Sequence, residues 1–218
     1  MMPIKAQNLE EALDRIGFSR GSIVETVLTT LNSDGSVNAA PMGVARKGPI
    51  QFEIRPYRSS KTHSNLNRNP EACINVINDP AIFLVTAFKE EKFDFSPPKF
   101  SHDNSIEQAD AVVFLTMLKR EEIDKERSSF VGEASSIKLI KKSPIVFSRG
   151  KAQTIEAIIH ATRIEYYLKN RKLVEAEDYI DRFNRCKRVV LKVSPQDSPE
   201  TRTVEALERL IDHWRAQA

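Results

Sequence analysis

One short segment concentrates the side chains that could bind an anion. Residues 55–63 (RPYRSSKTH) place three cations and three aliphatic hydroxyls within eight positions. The segment follows an apolar stretch with strand character, and Ser60 can cap a helix that begins directly after it. The first N–H groups of a helix have no intrahelical acceptor, so a phosphate monoester would find charge, hydroxyl donors and the positive end of a helix dipole together. The candidate ligands are Arg55, Arg58, Ser59, Ser60, Lys61 and Thr62.

The same composition also fits a solvent-exposed basic turn with a serine cap. Nothing in the residue types alone separates a phosphate site from that alternative. Arg55 either adds charge to a bound phosphate or pairs with an acidic neighbour in the chain. Both alternatives stay open at the level of the sequence.

The chain lacks the sequence patterns of several common nucleotide-binding and metal-binding sites. There is no GxGxxG and no GxxxxGK, with only seven glycines in the chain, so neither a Rossmann turn nor a P-loop is expected. The two cysteines, Cys73 and Cys186, are far apart and form no CxxC pair, so we expect no thiolate metal site and no disulfide framework. The histidines have no metal-ligand spacing among themselves, and no metal site is predicted: they are His63, His102, His160 and His213.

The charge balance argues against a nucleic-acid partner. The chain has 33 basic and 30 acidic residues, a net charge of +3, and the two signs are interleaved. No apolar run reaches transmembrane length, and the first ten residues lack the apolar core of a signal peptide. We therefore expect a cytoplasmic protein without a membrane partner.

The first half of the chain, which must position the basic segment, is predicted to be rich in β-strands. An Asp34-Gly35 hairpin signal joins the first two predicted strands, and a turn at Gly48-Pro49 leads to a third, which makes a meander. A short helix ended by Pro70 follows the basic segment. Residues 81–88 are ambiguous between strand and helix. Residues 93–104 are predicted to form a loop, and a lid over a site is one role for it. The predicted strands are residues 23–31, 38–46, 50–55, 71–77, 111–118 and 129–137.

The second half changes to helical periodicity from Gly150 onward. Three amphipathic helices are predicted, which we expect to pack together and against the barrel. The domains are predicted at residues 1–147 and 148–218. The apolar stripe of the first helix is predicted to consist of Ile155, Ile158, Ile159, Thr162 and Tyr166.

At this point the sequence resembles a known superfamily. Its order of meander, basic Ser/Thr turn, short helix and strand is that of the FMN-binding split barrels, which include the pyridoxamine-phosphate oxidases and flavin reductases. It is most similar to domain-of-unknown-function family 447. The matching pieces are NAAPMGV at residues 38–44, RSSKT at 58–62 with Asn65-Leu66, CINV at 73–76 and NDP at 78–80.

The resemblance implies an α+β fold, an antiparallel split β-barrel with a C-terminal helical subdomain. It implies FMN as cofactor, a homodimer with flavin at the subunit interface, and a phosphate held by residues 58–62. Pro41, Met42 and Gly43 would line the isoalloxazine edge. Gly43 suits a close approach by a flat ring, or marks a simple bulge. Asn75 would contact the flavin, or be a satisfied structural amide.

The implied activity is that of an oxidoreductase or flavin reductase with a possible nicotinamide electron donor. The alternatives are a non-enzymatic flavin carrier or sensor, and a split barrel that holds deazaflavin or haem. His63 and His102 are the only acid–base candidates near the expected cleft, and a polar contact is the more common role for such a histidine. No substrate and no catalytic residue is predicted.

Overall fold

A computed structural model describes residues 8–217 of the 218-residue chain. These residues form two compact units that divide between Phe147 and Ser148. Within the described range, the first unit contains six strands and three helices, and the second contains three helices. The predicted α+β class, an antiparallel barrel followed by a helical region, is confirmed.

The first unit is a closed barrel in which every pair of neighbouring strands is antiparallel. Around the barrel the strands follow the order β1-β2-β3-β6-β5-β4, and β4 pairs back onto β1. The predicted meander of the first three strands is therefore present, and the last two predicted strands are longer than expected. The strands are β1 Ile23–Leu31, β2 Val37–Arg46, β3 Gln51–Ile54, β4 Glu71–Val76, β5 Ala111–Glu122 and β6 Ser128–Leu139.

Two apolar clusters bury opposite faces of the same strands. Val113 belongs to the main barrel core, whereas its neighbour Val112 belongs to a second cluster outside the barrel. In that second cluster Val112 joins Val27 and Cys73 of the strands with Ile82 of a helix. Burial on both faces explains why residues 111–115 form a nearly continuous apolar run instead of an alternating one.

Three short helices accompany the barrel: α1 Leu9–Arg15, α2 Lys61–Arg68 and α3 Pro80–Ala87. The ambiguous segment after β4 is helical because Asp79 accepts a hydrogen bond from the N–H of Ala81 at 2.9 Å, with Pro80 in the first turn. The predicted lid segment contains no helix or strand, although Phe100 forms an isolated bridge with Ile106.

A fully buried arginine fixes the end of β2 and the turn that follows it. Arg46 is 0% exposed. It donates to the carbonyl oxygens of Phe18, Gly48 and Pro49 and forms an ion pair with Asp14. Because each buried donor has an acceptor, this arrangement avoids the cost of an unpaired buried charge.

The pairing of β2 is incomplete on one side. Residues 37–45 of β2 pair with β1, but β3 pairs only with residues 44–46. Among the described residues, no strand or isolated bridge lies along the other side of residues 37–43. We call this side the open edge of β2. It contains Pro41, Met42 and Gly43.

The second unit consists of three helices with their own core. They are α4 Arg149–Lys169, α5 Leu173–Val193 and α6 Pro199–Gln217. The second and third predicted helices contribute apolar residues to this core, among them Ile180 of α5 and Val204 of α6. The stripe predicted for α4 is wrong: Ile155 and Tyr166 are 59% and 58% exposed. The buried side of α4 is formed instead by Ala157, Ala161, Ile164 and Leu168, which share one face of the helix at spacings of three and four residues.

Two features bear on the cellular setting and the redox state. No helix within residues 8–217 combines the length and the apolar character needed to cross a membrane. Both Cys73 and Cys186 are buried free thiols. Burial raises the pKa of Cys73 to about 11, which keeps that thiol protonated and unreactive at neutral pH.

Candidate functional site

The basic turn, residues 55–62, lies between β3 and α2. Ser60 is the N-cap of α2: its hydroxyl oxygen accepts from the N–H of His63 at 3.2 Å and donates to the carbonyl of Tyr57 at 2.6 Å. The N–H of Ser60 also donates to the Tyr57 carbonyl, at 2.9 Å. The Ser60 hydroxyl therefore shapes the turn and has no proton left to offer a ligand.

The neighbouring donors of the turn are not used by the protein. Within the described residues, the N–H groups of Ser59, Lys61 and Thr62 make no hydrogen bond, and the Lys61 ammonium makes no ion pair. The Thr62 hydroxyl accepts a hydrogen bond from the Nδ2 of Asn38 at 3.2 Å, so its own proton remains available. These groups are the kind that bind a phosphate at a helix N-terminus.

A buried polar network lies beneath the turn. Asn38 of β2 donates to the hydroxyls of Thr30 and Thr62, and its carbonyl oxygen accepts from Lys89 Nζ at 2.5 Å. Asn65 of α2 donates to the same Thr30 hydroxyl at 3.0 Å. The network fixes the start of α2 against the ends of β1 and β2.

The outer side of the turn is fixed by the β5–β6 hairpin. The N–H of Arg58 donates to the carbonyl of Glu126 at 2.7 Å, and the Arg127 guanidinium lies 4.5 Å from the centre of the Tyr57 ring. The Arg58 guanidinium forms an ion pair with Glu122 at 3.2 Å, and both side chains are substantially exposed. An exposed pair of this kind contributes little energy, so Arg58 can exchange Glu122 for a phosphate.

Arg55 takes the second of its two alternatives, pairing with an acidic neighbour. Its guanidinium makes two hydrogen bonds to the carboxylate of Glu53, at 2.9 and 3.0 Å. Lys47 and Ser129 bind the same carboxylate. Arg55 is thereby held on the strand side of the turn, and we leave it out of the site proposed below.

Asn75 is a satisfied structural amide. Its Nδ2 donates to the carbonyl oxygen of Val27 at 2.9 Å, and its Oδ1 accepts from the N–H of Ile106 at 2.7 Å. The side chain is 0% exposed. A ligand could reach it only by displacing these partners, so the flavin contact expected from the resemblance is also left out of the proposed site.

Pro41, Met42 and Gly43 are half-buried on the open edge of β2. A Cβ at Gly43 would lie 3.1 Å from the Ile23 side chain and 3.6 Å from the Glu25 carboxylate. The absent side chain thus permits the close packing of β1 side chains beside this strand. Glu25 also lines an apolar pocket of ≈ 240 Å³ with Ile77, Pro80, Phe83 and Phe147.

The histidines do not provide an acid–base group at the turn. His63 is buried, with Nε2 at 3.1 Å from the Ser128 hydroxyl and Nδ1 at 3.2 Å from the Asn67 amide. Burial lowers the pKa of His63, and the charges of Arg120 and Arg58 lower it further, so the ring is neutral at pH 7. His102 is exposed in the irregular segment.

Two residues of this region were not predicted from the sequence. Asn38 is a polar residue on the inner side of a strand, a signal that could have been noticed. Lys89 follows α3 and lies 28 positions beyond Lys61, so only the tertiary structure brings it to Asn38.

The first unit is thus a closed antiparallel barrel with a basic turn at a helix N-terminus. Residues 24–139 match the family model described as the N-terminal domain of a protein of unknown function, DUF447. The chain belongs to this family, as the resemblance suggested.

Three solved structures illustrate its similarity to other proteins. An FMN-bound protein of Methanosarcina mazei, itself described as DUF447, is 23% identical over 90% of this chain and 98% of that chain, with a TM-score of 0.47. The styrene monooxygenase flavin reductase of Pseudomonas putida S12 is 13% identical over 55% and 83% of the two chains, with a TM-score of 0.48. An FMN-binding protein of Thermus thermophilus, solved with 1-cyclohex-2-enone, is 16% identical over 57% and 73%, with a TM-score of 0.45.

Proposed function

We propose that the barrel unit binds FMN and that the protein is an FMN-dependent oxidoreductase or flavin reductase. The proposal does not specify its substrate. The observation that carries this proposal is the set of unused donors at the basic turn. The N–H groups of Ser59, Lys61 and Thr62 and the Lys61 ammonium are held on a rigid turn without acceptors among the described residues. A terminal phosphate supplies the oxygen acceptors and the negative charge that such a turn lacks.

The residues fit a phosphate in number and in placement. Lys61 and Arg58 supply charge, and Ser59 and Thr62 supply hydroxyl protons, whereas the Ser60 hydroxyl holds the turn in shape. The turn is fixed by the Asn38 network on one side and by the β5–β6 hairpin on the other. A site built this way needs little ordering when its ligand arrives, which favours binding.

The open edge of β2 fits the ring system of the same ligand. Asn38 marks the phosphate end, and Met42 is four residues further along the strand, a distance of about 13 Å. That distance suits a ribityl chain extended between the two ends. The Met42 carbonyl oxygen accepts from the Thr26 hydroxyl at 3.0 Å. The other backbone groups on the open edge have no strand partner in the described part of the chain, so they can bind the polar edge of an isoalloxazine ring.

The bound flavin would supply the redox chemistry, and the chain's own residues bind and orient it. The phosphate donors fix one end, and the β2 edge tunes the ring through hydrogen bonds. His63 is neutral and engaged with Ser128 and Asn67, so it acts as a structural contact beside the turn. The chemistry therefore needs no acid–base side chain from the basic turn.

The remaining parts of the proposal concern the assembly and setting. We propose a cytoplasmic homodimer with flavin at the subunit interface, and a nicotinamide nucleotide as the electron donor. We propose the domain bounds at residues 1–147 for the barrel domain and 148–218 for the helical domain. Light scattering after size-exclusion chromatography tests the dimer, and a monomer at micromolar concentration would contradict it.

The cofactor is tested with FMN and riboflavin, which differ only in the phosphate. The double variant Arg58→Ala/Lys61→Ala should weaken FMN binding by roughly 100-fold and riboflavin binding by less than about threefold, because only FMN meets these cations. Fluorescence titration gives both dissociation constants. The control, Arg15→Ala/Lys142→Ala, removes two exposed cations elsewhere on the barrel unit and should change neither.

The binding and reduction experiments distinguish an error in the phosphate site from an error in the cofactor or in the electron donor. Equal losses for FMN and riboflavin would show that the basic turn does not hold the phosphate. If the wild-type protein binds neither FMN nor riboflavin, the proposal that FMN is its cofactor is wrong. If FMN binds tightly but stopped-flow mixing with NADH and NADPH leaves it oxidised, the protein is a carrier or uses another electron donor.

A further inference from the structure

Lys89 is a cation that the fold brings towards the basic turn from a distant part of the chain. It follows α3, and its Nζ donates to the carbonyl oxygen of Asn38 at 2.5 Å. The amide nitrogen of the same Asn38 donates to the Thr62 hydroxyl at 3.2 Å. These two hydrogen bonds and the width of one amide place the Lys89 ammonium within about 8 Å of Thr62 Oγ1.

We infer that Lys89, positioned by Asn38, is a phosphate-binding residue that makes this site select a phosphomonoester dianion. The inference rests on the proposed FMN site and specifies which form of phosphate that site takes. A terminal monoester carries close to two negative charges at neutral pH. In flavin adenine dinucleotide the two phosphates instead form an internal pyrophosphate, with one negative charge on each phosphate.

The Lys89 ammonium forms no ion pair within the described residues. Carboxylates act on this region only electrostatically, Glu90 on Lys89 and Asp34 on Lys61. The Lys89 ammonium donates a hydrogen bond to the neutral Asn38 carbonyl oxygen. Burial lowers the pKa of Lys89, the positive charge of Lys61 lowers it further, and only Glu90 acts in the opposite direction. Two ammonium groups near one another without a shared anion are unfavourable, and a bound dianion would reverse that penalty.

Asn38 has the burial expected of a positioning residue. It is 5% exposed, and both its amide nitrogen and its carbonyl oxygen are engaged. The carbonyl of a buried amide orients the lysine without neutralising it, which a carboxylate at the same place would do. The arrangement therefore keeps the positive charge of Lys89 available for a ligand at Thr62 and Lys61.

The test compares three flavins that differ in phosphate chemistry. Lys89→Met should weaken FMN binding by about tenfold or more, the typical loss for one charge-assisted hydrogen bond, and should change riboflavin binding by less than about twofold. The preference for FMN over flavin adenine dinucleotide should fall by a similar factor. Lys89→Gln, which keeps a polar side chain but removes the charge, should behave alike, and Lys89→Arg should retain most of the affinity for FMN.

Lys92→Met is the matched control, because Lys92 is an exposed lysine in the same connecting segment. It should leave all three dissociation constants unchanged. If wild-type protein binds FMN and Lys89→Met binds it equally well, or loses FMN and riboflavin alike, this inference fails while the proposed cofactor stands. If wild-type protein does not bind FMN, the cofactor proposal and this inference fail together.

Discussion

Glu53 shows how a single ionised group organises the strand that leads into the basic turn. Its carboxylate is 8% exposed and receives hydrogen bonds from Arg55 and Ser129 and an ion pair from Lys47. Burial opposes its ionisation, but the hydrogen bonds from Arg55, Ser129 and Lys47 outweigh that effect and lower the pKa from 4.5 to about 2. A carboxylate with a lowered pKa stabilises the folded state above the pKa of the unfolded chain.

The residue-scale prediction concerns the pH dependence of Glu53→Gln. At pH 7 the variant should lose roughly 2–3 kcal/mol of unfolding free energy, because Arg55 and Lys47 lose their shared anion. The difference from wild type should shrink as the pH falls from about 4.5 towards 2, where the wild-type carboxyl also becomes neutral. Urea titrations at pH 7 and pH 3.5 measure the two differences.

Glu107→Gln is the control, since Glu107 is exposed and its side chain makes no hydrogen bond or ion pair within the described residues. It should be neutral at both pH values. A Glu53→Gln deficit that stays constant between pH 7 and pH 3.5 would contradict the charge-based explanation and point to packing instead.

At the scale of elements, the β5–β6 pairing depends on a close approach at one glycine. Gly132 of β6 lies opposite Met117, next to a register shift between Met117 and Lys119. A Cβ at Gly132 would lie 2.8 Å from the carbonyl oxygen of Thr116 and 2.9 Å from the Met117 sulfur. The backbone contact cannot be relieved by a rotamer change, so the strands would have to separate.

Gly132→Ala should therefore destabilise the barrel by roughly 2 kcal/mol, an overpacking penalty. Chemical denaturation followed by circular dichroism measures it. Gly48→Ala is the matched control: its added Cβ would first meet the flexible end of Gln51, at 3.2 Å, and the expected cost is below about 1 kcal/mol. A Gly132→Ala protein as stable as the Gly48→Ala protein would show that the bulge tolerates a side chain.

At the scale of the whole molecule, the proposed cofactor should stabilise the folded chain. A ligand that binds only the folded state at 100 times its dissociation constant contributes about 2.7 kcal/mol. For a protein of this size that corresponds to a rise in thermal midpoint of roughly 5–10 °C. Calorimetry with FMN should show the rise, and riboflavin at the same concentration should give a smaller one, because it lacks the phosphate. Equal shifts with both ligands would contradict the phosphate site.

Local patterns were sufficient to predict most of the elements. Asp34-Gly35 fixed the first hairpin, where Gly35 adopts a positive φ of 81°, and Ser60 fixed the start of α2. The alternation of strand and turn residues identified the barrel half, and helical periodicity identified the second half. The error on α4 has a physical cause: several of its isoleucines are exposed, and its buried side combines two alanines with Ile164 and Leu168.

What the sequence by itself determined is the kind of chemistry available: a basic, hydroxyl-rich turn at the start of a helix, on a chain of barrel type. What only the tertiary structure decided is which of those groups are free. Arg55 is paired with Glu53, and Asn75 is hydrogen-bonded to the β1 backbone. Lys89, by contrast, contacts Asn38 although the two residues are 51 positions apart in the sequence. Local propensity depends on neighbours along the chain, but the availability of a donor depends on every group that folding brings against it.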